Sequence, residues 1–371
     1  MISLLILCGA ASFVLCALLV RFGQDWARLY GAAMPQRFHA GHVPRLGGVA
    51  MFGAYTCAWL WMLVAPWLGV ANQILVDPLT AIAWWVAGAI AVAGGIYEDV
   101  TQMLSVRYRL FLTALAAMAA VWALQLAVPR LGFAALDSVW TAMPWAGVGL
   151  ALVAIMGLPH AFNLIDGYNG LAGLVALIVC LALAHVGLQV GDRQLAAVAV
   201  TLAGATAGFL VWNYPRGLIF AGDGGAYLWG VAIAMLCVQL VQRHALVSPW
   251  FPVLLLIYPV WETVFSIYRK TARGQSPGVA DALHFHQLIY RRIVRSVFHD
   301  DASRRMLMRN NRTSPYLWGF TLLTVVPAVL FWQNSVVLIA FTLLFIVSYV
   351  WAYVAIVRFR VPRWVRRRGR L

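Results

Sequence analysis

The chain has 371 residues, of which 63% are hydrophobic and 11% charged, with a mean hydropathy of +0.83. A soluble globular domain carries about a quarter charged residues, so that class is excluded, and the runs lack the strict apolar–polar alternation of a membrane β-barrel. The net charge of +15 gathers at the ends of apolar runs, in one long segment and in the tail, which suits anionic headgroups or an anionic substrate and not nucleic acid.

Apolar runs long enough to cross a bilayer predict eleven spans, at about 2–20, 47–70, 79–97, 110–128, 145–161, 170–190, 195–212, 224–242, 249–268, 316–332 and 335–357. The first run has no basic segment before it and no small-residue cleavage motif before Arg21, so it reads as a retained helix. All five cysteines (Cys8, Cys16, Cys57, Cys180 and Cys237) fall inside such runs without metal-ligand spacing and read as packing residues. Lysine and arginine then set the orientation. With the N-terminus outside, segments 21–46, 98–109, 162–169, 213–223, 269–315 and 358–371 are inner, and only Arg130, Arg193 and Arg243 of the 27 Lys/Arg lie outside. The predicted fold is therefore all-α: a polytopic helical bundle forming one transmembrane domain over 1–371. Its N-terminus is periplasmic and its C-terminus cytoplasmic, with an inner loop 269–315 and a basic tail 358–371.

The inner segments hold five polar clusters framed by glycine or proline. In "RFHAGHVPRLGG", Pro44, Gly47 and Gly48 predict a rigid turn presenting Arg45. In "GGIYEDVTQMLSVRYR", Glu98 and Asp99 are adjacent carboxylates, which repel unless a cation or a raised pKa relieves them; an ordinary solvated helix end is the alternative. In "FNLIDGYNGLAG", Asn163, Asp166 and Asn169 recur every three residues and would share one helical face. Asp166 alone could be an N-cap, which leaves the flanking amides unexplained. In "WNYPRGLIFAGDGGAYLWG", Asn213 precedes a helix-breaking proline. Asp223 sits in a glycine-rich turn where it could approach Mg²⁺ or cap the eighth span. In "RKTARGQSPGVADALHFHQLIYRR", Asp281, His284 and His286 stand among arginines and a lysine. His-x-His shares a face only if extended. Histidines and arginines around a phosphoanion fit this segment better than zinc. A basic segment resting on anionic lipid is the plainer alternative.

Five such clusters on one membrane face point to one site: hard carboxylates for Mg²⁺, cations for phosphates, amides for a base or sugar, and a lipid wall. That combination specifies phosphoryl transfer from a soluble nucleotide donor to a lipid acceptor. A transporter with an intramembrane acid, Glu262, is the competing class, but the polar clusters lie at one face and not at the midplane.

The order "PRLGG", acidic pair, "NxxDG", "N-x-P…GD-x-G" and His-x-His resembles the polyprenyl-phosphate N-acetylhexosamine-1-phosphate transferases, over nearly the whole chain. That family includes phospho-MurNAc-pentapeptide translocase and undecaprenyl-phosphate GlcNAc-1-phosphate transferases. The resemblance implies attack of undecaprenyl phosphate on the β-phosphate of a UDP-N-acetylamino sugar, releasing UMP. It further implies a Mg²⁺ cofactor with Mn²⁺ as a substitute, a homodimer, and an active site on the cytoplasmic face of a bacterial inner membrane. By motif, Asp223 resembles the principal metal ligand, and Asp99 a carboxylate that serves the metal or lipid phosphate with Glu98 beside it. Asn163 and Asp166 match the catalytic pair, and His284 and His286 the diphosphate-supporting histidines. Arg45, Asn169, Asn213 and Asp281 fall to substrate binding. The chain departs from the family in Glu98 for aspartate, Asn169 for a frequent aspartate, and "HFHQ" for three consecutive histidines. The last favours the transferases that start O-antigen, capsule or other surface glycans.

Overall fold

The computed structural model describes residues 1–23, 43–69, 74, 76–276, 283–294 and 301–358. The described chain is helical. In order come α1 (Ile2–Phe22), α2 (Gly47–Val64), α3 (Pro78–Thr101), α4 (Val106–Leu124), a short α5 (Ala134–Thr141) and α6 (Pro144–Ile165). Then follow α7 (Leu171–Gln189), α8 (Arg193–Asn213), α9 (Gly222–Arg243), α10 (Trp250–Leu255), α11 (Ile257–Thr271), α12 (Phe285–Leu288) with a π-helical turn, α13 (Ala302–Leu330) and α14 (Ser335–Val357). Ten of these are long and apolar enough to cross a membrane, so the chain is a multi-pass, all-α membrane bundle.

The tenth and eleventh spans expected from sequence are present as α13 and α14, but the ninth, 249–268, is broken. α10 ends at Leu255 and α11 begins at Ile257, with Leu256 between them at φ −107°, ψ 8°. Pro259 supplies the reason: it has no N–H to offer the carbonyl four residues back, Leu255, and its ring crowds that oxygen. A second difference is α13, which starts at Ala302, well before the expected 316, and runs through Pro315. Its 29 residues span about 43 Å, more than the roughly 30 Å of hydrocarbon. The half that carries Arg304, Arg305, Arg309 and Arg312 therefore projects beyond the apolar layer.

α9 is the axis of the bundle. Its membrane-length window is completely buried, and α2, α3 and α6 pack directly on it. Lipid tails are as apolar as leucine, so membrane helices associate through close packing of small residues. Gly48 of α2 meets the backbone of Gly224 and Gly225, and Gly95 of α3 meets that of Asp223 and Gly224. In both places a Cβ would collide with main chain, so the approach requires glycine. These two contacts fix the start of α9, where the site lies.

Candidate active site

Asp223 occupies the first turn of α9, and the end of α3 reaches it first. Asp99 accepts from the Asp223 N–H at 2.9 Å and from the Gly224 N–H at 3.0 Å. A helix start leaves such N–H groups without partners, and here the cap comes from another helix. Asp223 itself is not a cap: α9 has no capping side chain at Ala221, and the carboxylate points elsewhere.

Segment 44–48 docks beside it through three backbone bonds: Phe220 N–H to Pro44 O, Gly47 N–H to Phe220 O and Gly48 N–H to Ala221 O, each 2.9 Å. This places Arg45 Nε 3.3 Å from Asp99 Oδ1 and Nη2 3.5 Å from Asp223 Oδ1. From the start of α4, Arg109 Nη1 lies 3.5 Å from Asp223 Oδ2 and 3.9 Å from Glu98 Oε1. Glu98 turns its other oxygen to the Leu104 N–H at 2.8 Å, closing the α3–α4 turn. Asn163 Nδ2 donates to Asp223 Oδ1 at 2.7 Å, and Tyr227 OH donates to Oδ2 at 3.3 Å. Behind Tyr227, His160 packs edge-on at 5.5 Å.

Asp166 ends α6 and does not cap α7, whose N-cap is Gly170 at φ +70°. The four intervening residues carry Asp166 away from the α7 start. Among the described residues its carboxylate makes no hydrogen bond. Burial pushes its pKa up to about 7, with Arg45 opposing and the nearby Asp223 adding to the rise.

The histidine pair closes the other side. A Cβ on Gly167 would stand 3.3 Å from His286 Nε2, so the histidine segment lies against the Asp166–Gly167 turn. His284 is extended (φ −64°, ψ 148°) before α12, and the two imidazoles stack at 5.4 Å with an 8° interplanar angle. His286 itself lies inside α12, so the segment is extended only at His284. Burial, countered by Glu262 and assisted by His284 and Arg269, brings His286 down to about 3. An unfolded chain would take up that proton below about pH 6.5, so this stabilisation is complete above pH 6.5 and is lost as the pH falls toward 3. Thermal midpoints in detergent should therefore fall less steeply over that interval for His286→Gln than for the wild type. Parallel curves would refute a neutral buried His286.

Asn169 and Asn213 belong to a neighbouring, largely internal network. Asn213 accepts from the Gly170 N–H at 2.6 Å and donates to Ile219 O at 2.8 Å, tying the "NxxDG" turn to the α8–α9 loop. Asn169 receives and gives bonds to α13: its N–H to Asn310 Oδ1 at 2.8 Å, its Nδ2 to Asn311 Oδ1 at 3.0 Å, its carbonyl from Ser314 at 2.6 Å. Its Oδ1 is buried and unpartnered. Asp281 lies outside the described residues. Sequence reasoning missed Arg109 and Tyr227, and gave Glu262 no role. Arg109 stood in a quoted motif but was indistinguishable there from a positive-inside anchor.

The donor chemistry, carboxylate and amide oxygen, is of the kind that suits a hard divalent cation, although among the described residues no three Asp, Glu, His or Cys side chains gather as a metal-binding group. Asp223 holds only one short bond, Asp166 is unpartnered among the described residues, and rotating the Asn163 amide would offer its oxygen; such oxygens suit Mg²⁺. Asp99 is differently placed, with both oxygens committed to the α9 N–H groups.

Fold and site together define a polytopic membrane protein with a partly buried cluster of carboxylates, arginines and imidazoles at one end of its bundle. The glycosyl transferase family 4 pattern matches residues 81–241, from α3 to α9. Over 302 residues the chain is 30% identical to decaprenyl-phosphate N-acetylglucosaminephosphotransferase of Mycolicibacterium smegmatis, covering 73% of this chain and 72% of that one. The protein belongs to glycosyl transferase family 4. It is also 26% identical to undecaprenyl-phosphate alpha-N-acetylglucosaminyl 1-phosphate transferase of Yersinia pestis, covering 68% of this chain and 67% of that protein. Identity to phospho-N-acetylmuramoyl-pentapeptide-transferase of a Synechococcus species is 37%, across 42% of this chain and 44% of the relative.

Proposed function

We propose that the protein transfers an N-acetylamino-sugar 1-phosphate, N-acetylglucosamine 1-phosphate or a close relative, from a UDP-sugar to undecaprenyl phosphate. The acceptor's phosphate oxygen attacks the β-phosphorus, the bond from that phosphorus to the bridging oxygen breaks, and UMP leaves. The product is the first lipid-linked intermediate of a surface glycan such as O-antigen. The site faces the cytoplasm of a bacterial inner membrane, with the N-terminus outside, as the lysine and arginine distribution supports. The single observation that carries this reading is the convergence of Asp223, Asn163, Arg45 and Arg109, in a chain 30% identical to a polyprenyl-phosphate sugar phosphotransferase.

Asp223, with Asp166 and Asn163, would hold Mg²⁺, which neutralises charge on the donor diphosphate when bound. Arg45 and Arg109 sit at 3.5 Å from Asp223, long for a charge-assisted bond, and are placed to take up phosphate oxygens instead. Asp99 holds Asp223 and Gly224 by their backbone. The stacked histidines flank the same turn and supply donors to the diphosphate. Asn213 shapes the pocket by tying its two loops, and Asn169 anchors the same turn to α13.

UMP release from a panel of UDP-amino sugars, with undecaprenyl phosphate and Mg²⁺ in detergent, tests this directly. Release with UDP-N-acetylglucosamine or another UDP-N-acetylhexosamine is the expected result, and none with any donor would refute it. The similarity to the Synechococcus protein favours one second reading, transfer of phospho-MurNAc-pentapeptide, and that donor belongs in the panel.

A further inference from the structure

We propose that Glu262 is the positioning residue of the histidine pair, orienting the His284 ring so that its Nε2 faces the diphosphate of the donor. This rests on the proposed transferase function.

Glu262 lies on α11, and its side chain is fully buried. A buried carboxylate is costly unless its oxygens are bonded and its charge is met, and here every identified partner converges on one segment and its support. Oε1 accepts from the Phe285 N–H at 3.0 Å, the amide between the two histidines. Oε2 accepts from Tyr349 OH on α14 at 2.6 Å. His284 Nδ1 stands 3.4 Å from Oε1. The carboxylate thus grips His-Phe-His by its middle amide and offers its charge to the first imidazole.

His284 Nδ1 has a second option. The α12 capping box brings the Gln287 N–H toward the His284 side chain, which would require Nδ1 as an acceptor. A bond to an ionised partner is roughly twice as strong as a neutral one, so the carboxylate prevails and Nδ1 carries the proton. In this structure His284 Nδ1 has no hydrogen-bond partner and meets Glu262 Oε1 at an ion-pair distance of 3.4 Å, a contact of the kind that substrate tightens. With Nδ1 turned to the carboxylate, Nε2 is the nitrogen left for substrate. The other ionisable groups facing Glu262 are His286, Tyr258 and Tyr349, with Arg269 beyond His286. The two rings stand nearly parallel with centroids 5.4 Å apart. His286 Nδ1 is also buried and unpartnered, a second nitrogen that awaits an acceptor.

A leucine would fill the same space. A carboxylate there is explained by what it orients, and a carboxylate on the far nitrogen of a functional imidazole sets tautomer and direction. The test compares E262Q, E262D, H284N and the E262Q/H284N double variant of the full chain. Each is checked by size exclusion and thermal unfolding, and UMP release is measured. E262Q should lower kcat about 10–100-fold with KM for undecaprenyl phosphate within about twofold. E262D, keeping the charge, should recover part of the loss, and the double variant should be no worse than H284N alone. Should E262Q not fold, Tyr349→Phe, which keeps the carboxylate and removes one bond to it, should lower kcat several-fold with the same KM pattern. Unchanged kcat in the folded variant, or losses that multiply in the double variant, would overturn the assignment while wild-type turnover leaves the functional reading intact. A wild type inactive with every donor would remove both.

Discussion

Asp223→Asn should reduce UMP release by about 10²–10³-fold, the scale on which one group stabilising developing charge acts. The fold should survive, because the bonds that seat the start of α9 run from Asp99 to backbone N–H groups of residues 223 and 224, which the substitution leaves in place. The carboxamide keeps the shape and forfeits the charge that Arg45, Arg109 and a cation share. The substitution should also raise the Mg²⁺ concentration needed for half-maximal residual activity. Purified variant with wild-type turnover would remove Asp223 from the site and with it the proposed metal position.

The second large effect falls on a residue without a side chain. Gly95→Ala would place a methyl group against the backbone of Gly224 and Asp223, where no rotamer change can relieve it. Overpacking of this kind costs roughly 1–3 kcal/mol, and the relief available is to push the start of α9 away from α3. Misplacement of a reacting group by about 1 Å can cost 10²-fold in rate. We therefore expect a folded but destabilised protein whose turnover drops by one to two orders of magnitude, measured as a lower thermal midpoint together with slower UMP release. Gly157→Ala on α6, where a Cβ would meet nothing within 4 Å, is the matched control and should leave both unchanged. Equal behaviour of the two alanines would show that the α3–α9 contact does not set the site.

Much of the bundle could be read from apolar runs, because a lipid solvent makes each span declare itself by length. The two misreadings both involve proline. Pro259 breaks a run that composition alone joins, and Pro315 lies inside a helix whose expected start was placed after it. The polar clusters were legible from their glycine and proline frames, and Arg45, Glu98, Asp99, Asn163, Asp166 and Asp223 do meet. Their partnerships were not legible. Arg109 reads as a positive-inside anchor until α4 is laid beside α9, and Glu262 reads as an orphan until Phe285 is folded onto it. Spacing along a helix states which residues share a face; it is silent on which face another helix will bring. Asp166 and Asp223 show the same limit, since each looked like an N-cap by sequence and neither is one.

The bond from Asp99 to the start of α9 joins positions 124 residues apart. α9 enters the membrane long after α3 during synthesis, so the carboxylate of Asp99 must wait for these two N–H partners through five intervening helices. The Glu98 contacts need only α3 and α4, but every contact to Asp223 waits for α9 to pack against α2, α3 and α6. Chains that stop short of α9 should accordingly carry Asp99 at the membrane edge without the two N–H groups that hold it in the finished protein.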